Sequence, residues 1–293
     1  MGEKRRSHLS ILTHRCVLTT SNKSTVNHMI RHKRVLFELA SWSSFWCRVT
    51  IFQPHQLRLA ITPGDHPGEG KPIAPKALAK QYPGKIAASL NGPWAGWGKN
   101  GKPPGGKYEL ATSMAFECGY FSVPDRIDIP PTKYGTKDRM PHTVTLGVDV
   151  AGKPFGCRGW SKAQATVAVQ MPVQLICDGE EVTPIDPDID WWSVFALTKD
   201  GEFLFLTAYG MLWQIQDVLK RSLDVVWAGM PDGGGSCAQV VGEAMYGSGK
   251  NRPTPSHIIA APDAADAVIT FGNPPQKTPN RAARAARAVA KVR

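Results

Sequence analysis

Met230-Pro231-Asp232-Gly233-Gly234-Gly235-Ser236-Cys237 stands between two apolar runs, Leu223-Asp224-Val225-Val226-Trp227 ahead of it and Ala238-Gln239-Val240-Val241 behind it. Three consecutive glycines between strand-like runs let the backbone take positive φ and bring several N–H groups close to one ligand. An anion suits such a loop. Asp232 and Ser236 add a carboxylate and a hydroxyl at the same place, a set that matches a phosphorylated sugar. The plain alternative is a flexible turn between two strands.

Working outward, Ser193–Thr198 and Glu202–Thr207 flank Lys199-Asp200-Gly201. Two β-branched and aromatic runs about a three-residue glycine turn predict a hairpin. Residues 213–223 place Ile215, Val218, Leu219 and Leu223 on one helical face, with Gln216, Lys220 and Arg221 away from it. Beyond the glycines, residues 238–241 and 244–246 can pair across Gly242-Glu243, and 256–260 give a last strand. Toward the N-terminus, residues 35–40, 45–51, 57–61 and 85–90 read as strands. A short helix over 76–82 is opened by Pro75 in the first-turn position that proline tolerates. Further strands are predicted over 144–148, 165–169 and 173–177, the last ending in the turn Asp178-Gly179. Residues 95–142, with glycine and proline clusters, read as an insertion or a long loop. The pattern predicts an α+β fold: a single mixed-sheet domain rich in β-hairpins, with a few helices, over residues 36–263.

Hydrophobic residues make up 42% of the 293 and charged residues 20%, ordinary for a globular chain that buries a sizeable core. The formal charge of +11 is unevenly placed: residues 1–35 carry +7 and residues 271–293 carry +6, so residues 36–270 carry −2. A basic balance confined to the ends says little about what the body binds. Residues 1–35 read as a basic, disordered extension. Residues 264–293 read as a basic tail whose Arg281–Arg287 stretch either stays solvated or forms a helix on an acidic partner or nucleic acid. The six cysteines form no C-x-x-C pair, so neither a zinc ribbon nor a compact disulfide framework is indicated, and no metal or other cofactor is expected. The best N-terminal apolar run, Leu9-Ser10-Ile11-Leu12, is cut off by His14 and Arg15, too short for a signal-peptide core. No run approaches transmembrane length, so a cytoplasmic or particle-associated location is expected; the oligomeric state is left open.

The succession of hairpin, helix, short strand, D-G-G-G-S at 232–236, second hairpin and Asn251-Arg252-Pro253 resembles the phosphodiester glycosidase domain family over about residues 45–262. Asn91-Gly92-Pro93-Trp94 follows a helix and an apolar strand where that family carries N-G-G-F-F. The resemblance implies a hydrolase that cleaves the bond between a sugar C1 and a phosphate, acting on a sugar-phosphate ligand or glycoconjugate. By that resemblance Asp232 supplies the carboxylate at the sugar. Ser236 and Asn91 orient hydroxyls beside Gly92, and the Gly233, Gly234 and Gly235 amides hold oxygen atoms. Arg252 meets the phosphate through its planar fork, and Asn251 beside it is a further substrate-binding residue. The residues themselves leave plainer readings open: an Asx turn for Asn91, a surface ion pair for Arg252, and a buried small side chain rather than a thiolate nucleophile for Cys237.

The chain also departs from the pattern. Pro93 and Trp94 replace a glycine and an aromatic; Trp192-Ser193 stands where an arginine-threonine pair begins the hairpin; Ala208-Tyr209-Gly210 stands where V-D-G ends it. An arginine and an aspartate are thereby lost, with Asp188 or Asp190 and Asp217 as the nearest substitutes. A catalytically eroded sugar-phosphate-binding protein, or a particle-associated structural protein with basic tails, is therefore the alternative.

Overall fold

A computed structural model describes residues 17–19, 30–38, 44–61, 69–70, 73–81, 84, 86–92, 95–96, 108–110, 114–116, 119–121, 144–149, 151–158, 165–171, 173–182, 189–254 and 256–261. In chain order the strands are β1 Val17–Thr19, β2 Arg31–Glu38, β3 Ser44–Phe52, β4 Leu57–Ile61, β5 Glu69–Gly70, β6 Ala88–Asn91 and β7 Ala95–Gly96. They continue as β8 Tyr108–Leu110, β9 Met114–Phe116, β10 Gly119–Phe121, β11 Val144–Asp149, β12 Pro154–Arg158, β13 Ala165–Met171 and β14 Val173–Cys177. The last are β15 Glu180–Glu181, β16 Asp190–Thr198, β17 Phe203–Gly210, β18 Val225–Met230, β19 Ala238–Val241, β20 Ala244–Gly247 and β21 Ser256–Ala260. The α-helices are α1 Pro75–Gln81 and α2 Leu212–Ser222.

The hairpin of β16 and β17 is the centre of an eight-stranded sheet ordered β1-β2-β3-β17-β16-β18-β14-β15. Gly201, at φ 79°, takes the left-handed conformation that its turn needs. A five-stranded sheet, β20-β19-β6-β21-β4, carries the glycine loop at the start of β19. A second five-stranded sheet is ordered β10-β9-β13-β11-β12, and β5-β8-β7 form a small fourth sheet.

The expected mixed-sheet α+β fold is corrected by this topology. Among the described residues every ladder is antiparallel and only two short α-helices accompany the sheets, so the fold is β-rich. The reason is connectivity. Tight turns such as Asp178-Gly179, Lys199-Asp200-Gly201 and Gly242-Glu243 join only antiparallel neighbours, whereas a parallel pair needs a long crossover. The eight-stranded sheet also reaches back into the segment read as an extension, since β1 pairs β2 and β2 pairs β3 from Arg31↔Ile51 onward. Residues 262–293, with the arginine-rich stretch, lie outside the described residues.

Strand alternation sorts the core onto two faces of the eight-stranded sheet. Val194, Ala196, Leu204 and Leu206 pack with Ile215, Val218 and Leu219 of α2 on one face. Phe195, Phe203 and Phe205 point the other way, into a cluster with Leu90 and Ile258 of one five-stranded sheet and Leu146, Val169 and Met171 of the other. Each such fully buried side chain contributes about 1.5–3 kcal/mol over its exposed state. The helix thus covers one face, and the other is left to seat the sheet that carries the glycine loop.

Candidate functional site

The three glycines answer three different demands. Gly233, in extended backbone at φ −140°, lies so close to the Trp192 indole that a Cβ would sit 2.8 Å from Cε3. Gly234 takes φ +59° to begin a short 3-10 turn, Gly234–Ser236. A Cβ on Gly234 would sit 3.3 Å from Asp190 Oδ2; one on Gly235 would sit 3.7 Å from Lys250 Nζ and 3.8 Å from Arg252 Nη1. The loop is tied to β16 by an isolated bridge, Trp192↔Gly233, with Ser193 N–H donating to Asp232 O at 3.4 Å. The Gly233 amide donates to Asp232 Oδ1 at 2.8 Å, orienting that carboxylate. This occupies one of the amides that the sequence pattern offered to a ligand.

Asn91, at the end of β6, is fully buried against the same loop. Its Oδ1 accepts from Ala238 N–H at 3.0 Å and lies 2.5 Å from Ser193 Oγ. Ser193 Oγ is also 3.0 Å from Cys237 Sγ. Asn91 Oδ1 can only accept, so the serine hydrogen goes to it and the thiol supplies the hydrogen of the other contact. Asn91 Nδ2 is buried with no hydrogen-bond partner among the described residues. Burial, with the Asp232 and Asp190 charges adding to it, pushes the Cys237 thiol up to about 12. A protonated, fully buried thiol is a packing group, not a nucleophile.

Trp192 and Ser193, the departures at the hairpin's start, form the floor of the loop. Trp192 is fully buried and donates Nε1–H to Gly210 O at 2.7 Å, while Ser193 joins Asn91 to Cys237. Of the aspartates considered as substitutes, Asp190 is at the loop, held by Trp191 N–H on Oδ1 at 2.8 Å. Asp217 lies on α2, paired with Arg221 at 2.7 Å. Asp188 lies outside the described residues, as do Pro93 and Trp94.

The structure therefore brings Asn91, Asp232, Gly233, Gly234, Gly235 and Arg252 together. Ser236 belongs to the same turn but is buried, 7% exposed, and Gly92 is buried beside Asn91. Asn251, at φ 44°, accepts from Lys76 N–H at 3.2 Å, so its carbonyl oxygen serves the first turn of α1. Lys250 was not among the residues expected from the sequence; its only signal there is a cation next to Asn251-Arg252. It arrives because Ser248 N–H donates to Cys237 O at 2.9 Å and Ser248 Oγ to Gly235 O at 3.0 Å, folding the end of the β19–β20 hairpin back over the loop. Among the described residues no group of three or more His, Cys, Asp or Glu side chains is gathered for a metal ion, and no helix is long and apolar enough to cross a membrane.

Fold and site define a β-rich protein whose glycine loop stands between carboxylates and cations. No protein-family model matches the chain, and no curated protein matches it. Among solved structures it is similar to the catalytic domain of zebrafish N-acetylglucosamine-1-phosphodiester alpha-N-acetylglucosaminidase, auto-inhibited by its pro-peptide. That likeness covers 85% of this chain and 88% of that one, with a TM-score of 0.56 and 14% identity. It is also similar to a hypothetical protein from Synechocystis, over 84% of this chain and 67% of that one, with a TM-score of 0.52 and 10% identity. At these identities the likeness is one of fold alone.

Proposed function

We propose that the chain hydrolyses a sugar-1-phosphodiester, releasing the sugar from its phosphate. One observation carries the reading: at two successive glycines, the space a side chain would fill is bordered by the Asp190 carboxylate at Gly234 and by Lys250 and Arg252 at Gly235. Successive Cα atoms lie about 3.8 Å apart, so both signs of charge fall within the reach of one glycosyl phosphate.

The chemistry asks for little more. The bond between C1 and the phosphate oxygen breaks, its electron pair leaves on the phosphate, and water adds to C1 while giving a proton to a carboxylate. Asp232, oriented by Gly233 N–H, and Asp190, oriented by Trp191 N–H, stabilise the oxocarbenium-like centre, and one of them takes the proton. Lys250 and Arg252 hold the departing phosphate, Arg252 with its fork and Lys250 as a point charge. The fold likeness to a phosphodiester glycosidase domain supports the same class.

The test is incubation with a panel of sugar-1-phosphodiesters and nucleotide sugars, measuring released reducing sugar. Release by the wild type that is lost in Asp232→Asn and Asp190→Asn supports the reading. Absence of release from every compound, with binding retained, replaces it by a sugar-phosphate-binding function.

A further inference from the structure

The eight-stranded sheet continues beyond the sheet that covers it, and what it exposes there is unusual. Cys47 and Ala208 are register partners whose side chains lie in the cluster beneath α2. Their neighbours Trp46, Arg48, Thr207 and Tyr209 therefore point to the opposite face, the one carrying Ser193. Two rows result. In the inner row Ser193 and Thr207 are buried, Ser193 against Asn91 and Thr207 through its bond to Gln239 Oε1 at 3.1 Å, whereas Arg48 is only half-buried, its guanidinium 4.3 Å from the Tyr246 ring. The outer row is Trp191, Tyr209 and Trp46, on β16, β17 and β3. Trp191 and Tyr209 are register partners with ring centroids 5.5 Å apart. Tyr209 is 52% exposed and Trp46 41%.

Beside this row Arg34 and Arg48 are direct cross-strand partners, and Arg34 lies 3.8 Å over the Trp46 ring. No carboxylate among the described residues pairs with either arginine. Like charges directly opposite each other destabilise a sheet, and exposed aromatic rings lose burial, so the arrangement costs stability in the free protein. An anionic ligand with ring faces offsets both costs. Strands lie about 4.8 Å apart, so the aromatic row spans about 10 Å, the length of about two sugar rings. It begins at Trp191, next in the chain to Asp190, and Trp191 O would lie 3.2 Å from a Cβ on Gly233.

Resting on the hydrolase reading above, we propose that Trp191, Tyr209 and Trp46, with Arg48 and Arg34, form an extended subsite for a phosphate-bearing glycan. Trp191 and Tyr209 stack on its sugars, the guanidiniums of Arg48 and of Arg34, the latter resting on Trp46, meet its phosphates, and its terminal sugar-1-phosphate enters the glycine loop. The substrate is then a chain of phosphate-linked sugars and not a single small diester. Single-stranded nucleic acid uses similar groups, but the continuity of this row with the carboxylates favours the glycan.

The experiment compares binding of a tetramer of N-acetylglucosamine joined by phosphodiesters, of N-acetylglucosamine-1-(methyl phosphate), and of a ten-residue oligothymidylate, by calorimetry on the full chain. The expected result is tetramer affinity at least tenfold above that of the single diester, and a fall of that ratio to about one in Tyr209→Ala and in Arg34→Gln/Arg48→Gln. The large exposure of Tyr209 leaves the fold of its variant intact, to be checked by circular dichroism. Equal affinity for tetramer and single diester, an unchanged ratio in both variants, or oligothymidylate binding as tightly as the tetramer overturns the subsite. Binding is scored apart from turnover: a tetramer that binds through Tyr209 without being cleaved upholds the subsite and refutes the hydrolase reading. Turnover with no advantage for the tetramer does the reverse.

Discussion

Replacing Gly233 by alanine isolates the loop's packing from its backbone conformation. The residue is extended at φ −140°, so the new side chain meets no backbone penalty; its whole effect is contact. The added Cβ would lie 2.8 Å from Trp192 Cε3, 2.9 Å from Cζ3 and 3.2 Å from Trp191 O. Carbon atoms rest at about 3.5–4.0 Å, so at least ~0.7 Å of overlap with Cε3 must be absorbed. Trp192 has nowhere to go, being fully buried in the cluster beneath α2 and bonded through Nε1 to Gly210 O. Overpacking of this kind costs about 1–3 kcal/mol, and each kcal/mol lowers Tm by about 2–4 °C at this size. Thermal unfolding followed by circular dichroism should therefore show a Tm lower by about 4–8 °C for a cost near 2 kcal/mol. The neighbours are the controls. In Gly235→Ala the Cβ makes only ordinary contacts of 3.5–3.8 Å and stability should change by no more than about 0.5 kcal/mol. Gly234→Ala should lose roughly 1–2 kcal/mol from φ +59° alone. A Gly233→Ala protein as stable as wild type, or one less affected than Gly235→Ala, would refute the packing argument.

Asp232→Asn and Asp190→Asn should each lower kcat by about two orders of magnitude or more on any sugar-1-phosphodiester the wild type cleaves, while unfolding midpoints stay close to wild type. An unaltered kcat in either variant removes that aspartate from the mechanism. The Cys237 thiol should resist N-ethylmaleimide in the folded protein at pH 8 and react once urea unfolds the chain. Rapid labelling in the fold, with loss of activity, would restore the nucleophile reading. His257 is fully buried, its Nε2 3.2 Å from Ile73 O, and burial lowers its pKa to about 4. A histidine protonated more readily unfolded than folded favours unfolding as pH falls from about 6.5 to about 4, by on the order of 3 kcal/mol in all. Urea midpoints for His257→Gln should fall less steeply than those of wild type across this window; identical slopes would show that the ring is protonated in the fold.

Much of the local structure was legible without coordinates, because turn chemistry and side-chain period act over a few residues. The β16–β17 hairpin follows from two β-branched and aromatic runs about Lys199-Asp200-Gly201, α2 from the spacing of Ile215, Val218 and Leu219, and the β19–β20 hairpin from Gly242-Glu243. The glycine loop was legible as a break between two strands, though not the separate reason for each glycine. What the tertiary structure alone decided lies between segments far apart in the chain. The pairing of β17 with β3 makes the sheet antiparallel where a mixed one was expected, and Asn91 meets Ala238 N–H across 147 residues. Trp192 and Ser193 read as losses from a family pattern, yet they are the floor that holds the loop. Lys250 becomes a site residue only when the hairpin's end folds over Gly235. A side chain's neighbours across a sheet depend on register and layer packing, which are set by the summed burial of the whole core and not by propensity within any one segment.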